Sequence, residues 1–314
     1  MTDFKSLRIV FMGTPEFAVA SLDALVKAGC NIVGVITAPD KPAGRGMQLQ
    51  QSAVKKYAID HQLTVLQPEK LKNPSFLEEL KSLNADLQIV VAFRMLPEVV
   101  WNMPPMGSVN LHGSLLPNYR GAAPINWAVI NGEKETGVTT FKLQHQIDTG
   151  NILLQESFPI GENETAGEVH DKMKVIGAQL LVKTVKGLSE DSVVEQPQAL
   201  SLTPQTLHHA PKIFTETCRI DFTKTTAEVH NLIRGLSPFP GAFTMLNGKT
   251  LKIYRSEKTG YASGDLHHDS GSYTTDGKTY LHFHCADGYI AVKELQLEGK
   301  KKMTVEDFLR GYRF

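Results

Sequence analysis

The densest set of residues able to do chemistry lies in and after the apolar run Ser108 to His112, where Asn110 and His112 stand one residue apart. In an extended strand, residues two apart point to the same face. An amide and an imidazole side by side at a strand's end can both donate hydrogen bonds to an oxygen that gains negative charge during a reaction. Asp148 lies in the tight turn Asp148-Thr149-Gly150. From there a carboxylate can fold back onto the imidazole, fix its tautomer and favour its charged form. The same spacing suits two polar side chains that merely cap a strand and satisfy backbone groups. No pairing of a nucleophilic serine or cysteine with a base is visible here, so the pattern does not point to a covalent intermediate.

Other polar clusters carry less. His208-His209, and His267-His268 before Asp269, lie in polar turn regions with no cysteine and no second pair at helical spacing, so no metal is expected. His282 and His284 flank Phe283 and share one face of a strand, a barrel-surface arrangement, while Trp101 and Trp127 are expected to fill core or interface space. The first loop, Gly13 to Ala18 (GTPEFA), lacks G-x-G-x-x-G. Pro15 and Glu16 would obstruct and repel a pyrophosphate at the helix start, so no nucleotide cofactor is expected.

The elements that must hold these residues alternate. Arg8 to Met12, Asn31 to Thr37, Val65-Leu66, Asp86 to Ala92 and Ser108 to His112 read as strands. Helical stretches run from Phe17 towards Gly29, around Val54 to Ile59, and from Pro74 to Leu83. Near-continuous apolar strands between helices predict an α/β fold, a doubly wound parallel sheet covered on both faces. In such a sheet, ligands bind beyond the carboxyl ends of the strands. Val138 to Leu143 and Ile152 to Phe158 read as paired strands, and a long amphipathic helix follows from about Thr165 to Leu188. The polar stretch after it predicts a linker at 189–205 between a first domain, 1–188, and a second, 206–314. In the second, a helix from Thr226 to Leu236 precedes short strands separated by Gly, Asp and Asn turns. That rhythm fits a small β-barrel of the oligonucleotide-binding kind.

The chain has 314 residues, 41% hydrophobic and 21% charged, with 33 basic and 33 acidic side chains. That composition excludes a disordered, fibrous or coiled-coil protein. No apolar run approaches the roughly 20 residues that span a bilayer, and no secretory signal is visible. From Thr206 onward there are 15 basic and 12 acidic residues, including the run Lys300-Lys301-Lys302, the sign expected of a part that approaches a polyanion. Three widely spaced cysteines, Cys30, Cys218 and Cys285, suit a reducing cytoplasm.

Asn110-x-His112, the stretch SLLPNYRGAAPINWA from Ser114, TGVT at Thr136 to Thr139 and the Asp148-Thr149-Gly150 turn together resemble the formyltransferase family that uses 10-formyltetrahydrofolate. The likeness runs from RIVFMGTPEFA through PDKPAGRG to IRGLSPFPGAF at Ile233 to Phe243, nearly the whole chain. It implies that Asn110, His112 and Asp148 are the catalytic trio and that Ser114, Leu115, Leu116 and Pro117 bind the folate co-substrate. It also implies that the loop of Phe93, Met95 and Leu96 lines the pterin pocket. Arg94 stands where relatives often have glycine, a departure that bears on that pocket, and Asn151 where an aspartate is common.

Within the family, the segment Ala38 to Lys56 resembles an insertion that reaches the acceptor end of a tRNA. The resemblance implies Lys41 and Arg45 as RNA contacts and, as acceptor, the amine of methionine esterified to initiator tRNA. Glycines and prolines around Lys41 and Arg45 predict a mobile loop. The alternatives are an acceptor amino sugar attached to a nucleotide, or a folate- or RNA-binding module without catalysis. A monomer in the cytoplasm, with no membrane contact and no metal, completes the expectation.

Overall fold

The computed structural model describes residues 3–43, 48–198, 207–261 and 268–313. The chain divides into two compact units. The first comprises Met1–Arg120, Gly137–Ser157 and Lys172–His208; the second comprises Gly121–Thr136, Phe158–Asp171 and His209–Phe314.

The first unit is built on β1 (Arg8–Gly13), β2 (Asn31–Ile36), the hairpin strands β3 (Lys41–Ala43) and β4 (Gln48–Gln50), β5 (Val65–Leu66), β6 (Leu87–Val91) and β7 (Ser108–His112). Two-residue β8 (Arg120–Gly121) is followed by β9 (Glu135–Lys142) and β10 (Ile152–Pro159). Helices α1 (Glu16–Lys27), α2 (Ala53–Asp60), α3 (Pro74–Ser82) and α4 (Glu98–Trp101) intervene; α5 (Pro124–Ile130) belongs to the second unit, and α6 (Ala166–Ser189) has its first turns in the second and the rest in the first. The main sheet has seven strands in the order β10-β9-β7-β6-β1-β2-β5. Strands β5, β2, β1, β6 and β7 are parallel, as the apolar runs predict, and every position of β6 is buried. Strand β9 instead lies antiparallel to β7, so the sheet is mixed on that side.

Local chemistry sets several boundaries. Ser52 caps α2 by accepting from the Lys55 amide at 3.0 Å. Asn73 caps α3 and Pro74 opens it, where a missing N–H costs nothing. The core of this unit includes Val10, Met12, Ile36, Phe76, Leu80 and Val90.

The second unit carries β11 (His209–Ala210), then β12 (Ala242–Leu246), β13 (Lys249–Gly260), β14 (Tyr273–Thr275), β15 (Leu281–His284), β16 (Gly288–Leu297) and β17 (Met303–Thr304), with α7 (Thr226–Gly235) and α8 (Val305–Gly311). Strands β12-β13-β16-β15-β14 form an antiparallel sheet, with β17 beside β16. The Gly- and Asn-rich turns predict this succession. Helix α7 starts at a complete capping box, Thr225 with Glu228, and its Val229 and Ile233 enter a core with Leu251, Ile253, Phe283 and Ile290. Among the described residues, no helix is long and apolar enough to cross a membrane.

The stretch 189–205, read from sequence as a linker, is described as far as Gln198. Over that length it is bonded into the first unit. Gln196 and Ile152 exchange backbone hydrogen bonds of 2.8 and 2.9 Å, and the Gln198 side chain is buried.

Candidate active site

The parallel strands of the first unit end on one side of the sheet, and the expected catalytic residues gather there. Strand β7 sits between β6 and β9, with Asn110 opposite Val90 and Phe141 and His112 opposite Thr139. Both side chains therefore leave the same face of a strand held on each edge. His112 is almost fully buried, and Phe141 meets its ring edge-on at 6.4 Å. Asn110 is half-buried, and its amide makes no hydrogen bond among the described residues.

His112 Nε2 lies 2.9 Å from the carbonyl oxygen of Tyr119. A carbonyl only accepts, so the proton resides on Nε2. Nδ1 then faces Asp148, whose Oδ2 is 3.8 Å away. That separation is an ion-pair distance rather than a hydrogen bond. The tautomer is thus set by the Tyr119 backbone, not by Asp148 as the sequence suggests, because the chain after Pro117 turns back beneath the ring. Asp148 has φ of 53°, a left-handed conformation uncommon for residues other than glycine, and one that often marks a functional constraint.

The loop Ser114 to Pro117 is tied down from two strands. Ser114 is fully buried and donates to the Asn118 carbonyl at 2.7 Å. Thr139 on β9 donates to the Ser114 carbonyl at 2.6 Å and accepts from the Leu116 amide at 3.1 Å. Gln155 on β10 donates to both the Leu116 carbonyl and Thr139, each at 2.9 Å. Leu116 is buried, while Leu115 and Pro117 are partly exposed. Leu115 packs against Gly137, where any Cβ would overlap it.

Phe93 and Leu96, after β6, pack partly on the core; Met95 is 74% exposed, an apolar side chain at the mouth of the strand ends. Arg94 lies with its guanidinium over the Phe93 ring, 5.7 Å from the centroid. Its guanidinium donates to the carbonyls of Pro68 and Glu69, at 2.8 Å to the latter. It therefore staples two neighbouring loops.

The segment expected to meet RNA has a fixed root. Lys55 pairs with Asp40 at 2.5 Å, and Gln67 donates to Asp40 and to the Ala38 carbonyl, both at 2.8 Å. The Lys55 hydrogen bond, then that from Gln67, hold the Asp40 carboxyl below its usual value. Lys55 is thereby committed within the protein. Lys41 lies exposed on β3, where Lys41 pairs with Gln50 and Pro42 with Leu49. The flanks of the expected loop are thus a hairpin; Arg45 lies outside the described residues.

Sequence reasoning missed Gln155 and Gln198, which stand far along the chain from the trio, and assigned no role to Thr139 or Arg120, although both lie inside the stretches that stood out. Gln198 donates to the carbonyls of Asp148 and Gly150, each at 2.9 Å, and accepts from Arg120. Burial pulls the Arg120 guanidinium below its usual value, and the charge of Asp148 offsets part of that. Among the described residues, no group of three or more His, Cys, Asp and Glu side chains is placed to hold a metal.

An amide and an imidazole on one strand face, with a carboxylate 3.8 Å from the imidazole nitrogen that is not held by the backbone, suit the stabilisation of a developing oxyanion. Comparison with known proteins agrees in kind. Residues 7–185 match the formyl transferase family, and 212–313 match the formyl transferase C-terminal domain. The chain is 54% identical over 315 residues to the methionyl-tRNA formyltransferase of Azobacteroides pseudotrichonymphae, covering 97% of this chain and 95% of that one. It is 56% identical over 316 residues to that of Phocaeicola vulgatus, covering 98% and 97%. Among solved structures, an N-formyltransferase from Helicobacter canadensis in complex with folinic acid and dTDP-3-aminofucose shares the fold. Its TM-score is 0.69 at 23% identity, over 95% of this chain and 100% of that one. From a strand-end trio inside matches that span both units, it follows that the chain belongs to the formyl transferase family.

Proposed function

We infer that the chain transfers the formyl group of 10-formyltetrahydrofolate to the α-amino group of methionine esterified to initiator tRNA, yielding N-formylmethionyl-tRNA for translation initiation. The observation that carries this reading is identity above 50%, over nearly the full length, to methionyl-tRNA formyltransferases. The enzyme complexed with an aminofucose nucleotide stands at 23%, so an amino-sugar acceptor is much the more distant reading.

The folate delivers an activated formyl group, so neither ATP nor a metal enters the scheme. The residues available suit it: Phe93, Met95 and Leu96 offer an apolar edge for a pterin, and Ser114, Leu115, Leu116 and Pro117 form a loop held rigid by Thr139 and Gln155. An α-amine titrates at about 7.7–8.0 in model compounds, so a neutral fraction exists without a strong base. Asn110 and the Nδ1–H of protonated His112 donate to the formyl oxygen as the amine attacks. The Tyr119 carbonyl holds Nε2, so the ring does not rotate when Nδ1 gains its proton. Asp148 balances the imidazolium and receives the amine's proton, directly or through water. As the tetrahedral intermediate collapses, the bond between the formyl carbon and N10 of the folate breaks and N10 takes up that proton, leaving as tetrahydrofolate.

Residues 1–188 supply this chemistry in the proposed division, with 206–314 supplying sequence-independent contacts to the tRNA. Lys41 and Arg45 approach its acceptor end. The enzyme acts as a cytoplasmic monomer. The test is transfer of labelled formyl from 10-formyltetrahydrofolate, with methionyl-tRNA and an amino-sugar nucleotide offered separately. Transfer to the tRNA ester, lost in a folded His112→Ala variant, is expected. Transfer to the sugar alone, or folate binding without any transfer, would overturn the reading.

A further inference from the structure

Two of the three trio members are held by adjacent residues. Tyr119 gives its carbonyl to His112 Nε2 at 2.9 Å. Arg120, next in the chain, donates to Gln198 Oε1 from Nε at 3.1 Å and from Nη2 as well. The amide of Gln198 then spends both N–H bonds on the Asp148 turn, reaching the Asp148 and Gly150 carbonyls at 2.9 Å each. Gln198 is 9% exposed. Its own placement is pinned two residues earlier, where Gln196 and Ile152 exchange backbone hydrogen bonds.

The arrangement has a physical purpose. Asp148 occupies a left-handed backbone conformation, φ 53°, which is strained for a side chain with a Cβ and persists only when surroundings enforce it. A side-chain amide bridging two carbonyls across the turn supplies that enforcement. A glutamine does this where a charged residue would not: it donates twice on one side and accepts the Arg120 fork on the other, with every polar atom used. Because Tyr119 and Arg120 are joined covalently, the same short segment sets where the imidazole and the carboxylate stand. The 3.8 Å gap between them is the quantity it holds.

We propose that Gln198 and Arg120 are positioning residues for formyl transfer, acting as one unit that fixes Asp148 against His112. This rests on the formyl-transfer reading. Neither residue touches substrate in the scheme, so their loss changes the chemical step rather than binding.

The experiment is steady-state formyl transfer by full-length Gln198→Ala, Arg120→Ala, the double variant and Arg120→Lys, with melting temperatures measured alongside. A displacement near 1 Å can cost about 10²-fold in rate. The expected results are a fall in kcat of about 10- to 100-fold for Gln198→Ala, KM for folate and tRNA within about two-fold, and a double variant no worse than the poorer single one. Arg120→Lys, which keeps the charge but loses the fork, should recover part of the Arg120→Ala loss. Wild-type kcat in a folded Gln198→Ala variant, or multiplicative losses in the double variant, would overturn the proposal while leaving formyl transfer intact. Absence of transfer by the wild type would instead overturn the reading on which it rests.

Discussion

An imidazole whose Nε2 is committed to a carbonyl has one nitrogen left for chemistry, and in His112 that nitrogen faces Asp148. Asn110 beside it adds a second donor from the same strand face. Replacing Asn110 by alanine should therefore lower kcat by about 10²–10³, the usual loss for one oxyanion donor, while KM for methionyl-tRNA stays close to wild type. A change confined to KM would place Asn110 in binding instead. Arg94 allows a contrasting forecast. Because its fork holds the carbonyls of Pro68 and Glu69, Arg94→Gly should leave kcat unchanged and raise KM for the folate a few-fold, through a looser Phe93–Leu96 loop. A large fall in kcat would show that the guanidinium reaches the reacting groups. The motif around Asn110 and His112 was legible in sequence because two residues on one strand share a face by local geometry alone. The direction Arg94 takes was not, since it depends on a loop 25 residues upstream coming alongside.

At the scale of elements, the β9–β10 connection must deliver Asp148 to the end of β7 while its two strands stay paired. The Lys142 amide donates to the Asn151 carbonyl at 2.9 Å, and a Cβ on Gly150 would overlap the Lys142 carbonyl. Gly150→Ala should thus lower the melting temperature and nearly abolish transfer. Thr149→Ala, next to it, removes only exposed hydrogen bonds and should be mild. Equal effects would mean that crowding at Gly150 is not what constrains the turn. In the second unit, His230 on α7 and His282 and His284 on β15 are all held below their usual value, first of all by burial. For His230, Arg234 and Lys258 add to this and Glu162 opposes it; for His282, His284 and Lys293 add to it and Asp276 opposes it; for His284, His268 adds to it. Such groups bind fewer protons folded than unfolded, so the stability they contribute is present above about pH 6.5 and lost as pH falls through and below it. Urea melts between pH 7.5 and 5 should show this decline, and His230→Gln should flatten it. An unchanged pH slope in that variant would remove His230 from the account.

Across the whole molecule, charge is balanced overall, 33 against 33, with a small basic excess after Thr206. Binding of a tRNA by lysines and arginines releases counterions, so KM for methionyl-tRNA should rise steeply with salt while KM for the folate hardly moves. Equal salt dependence would argue against a phosphate-contacting surface. Cys30, Cys218 and Cys285 are buried one by one rather than paired. Burial pushes the Cys30 thiol up to about 11 and the Cys285 thiol up to about 12, and raises Cys218 as well. Neutral thiols are poor nucleophiles, so a disulfide reagent at pH 8 should label the native protein slowly and the urea-unfolded chain fully. Rapid native labelling would contradict the burial.

The sequence by itself determined the strands, the main helices and the placing of Asn110 and His112 on one strand face, because each is written in short-range patterns. Apolar runs mark buried strands, helical spacing marks amphipathic faces, and Asn110-x-His112 needs only a strand to align it. The antiparallel β9 beside β7 was decided by the tertiary fold, since a sheet's neighbours depend on how connections close rather than on the residues within a strand. The clamp on the trio was decided there too. Arg120 and Gln198 are 78 residues apart and Gln198 and Asp148 are 50. A hydrogen bond between such residues exists only once the chain has paid the entropy of closing those loops around a packed sheet. No local periodicity encodes that.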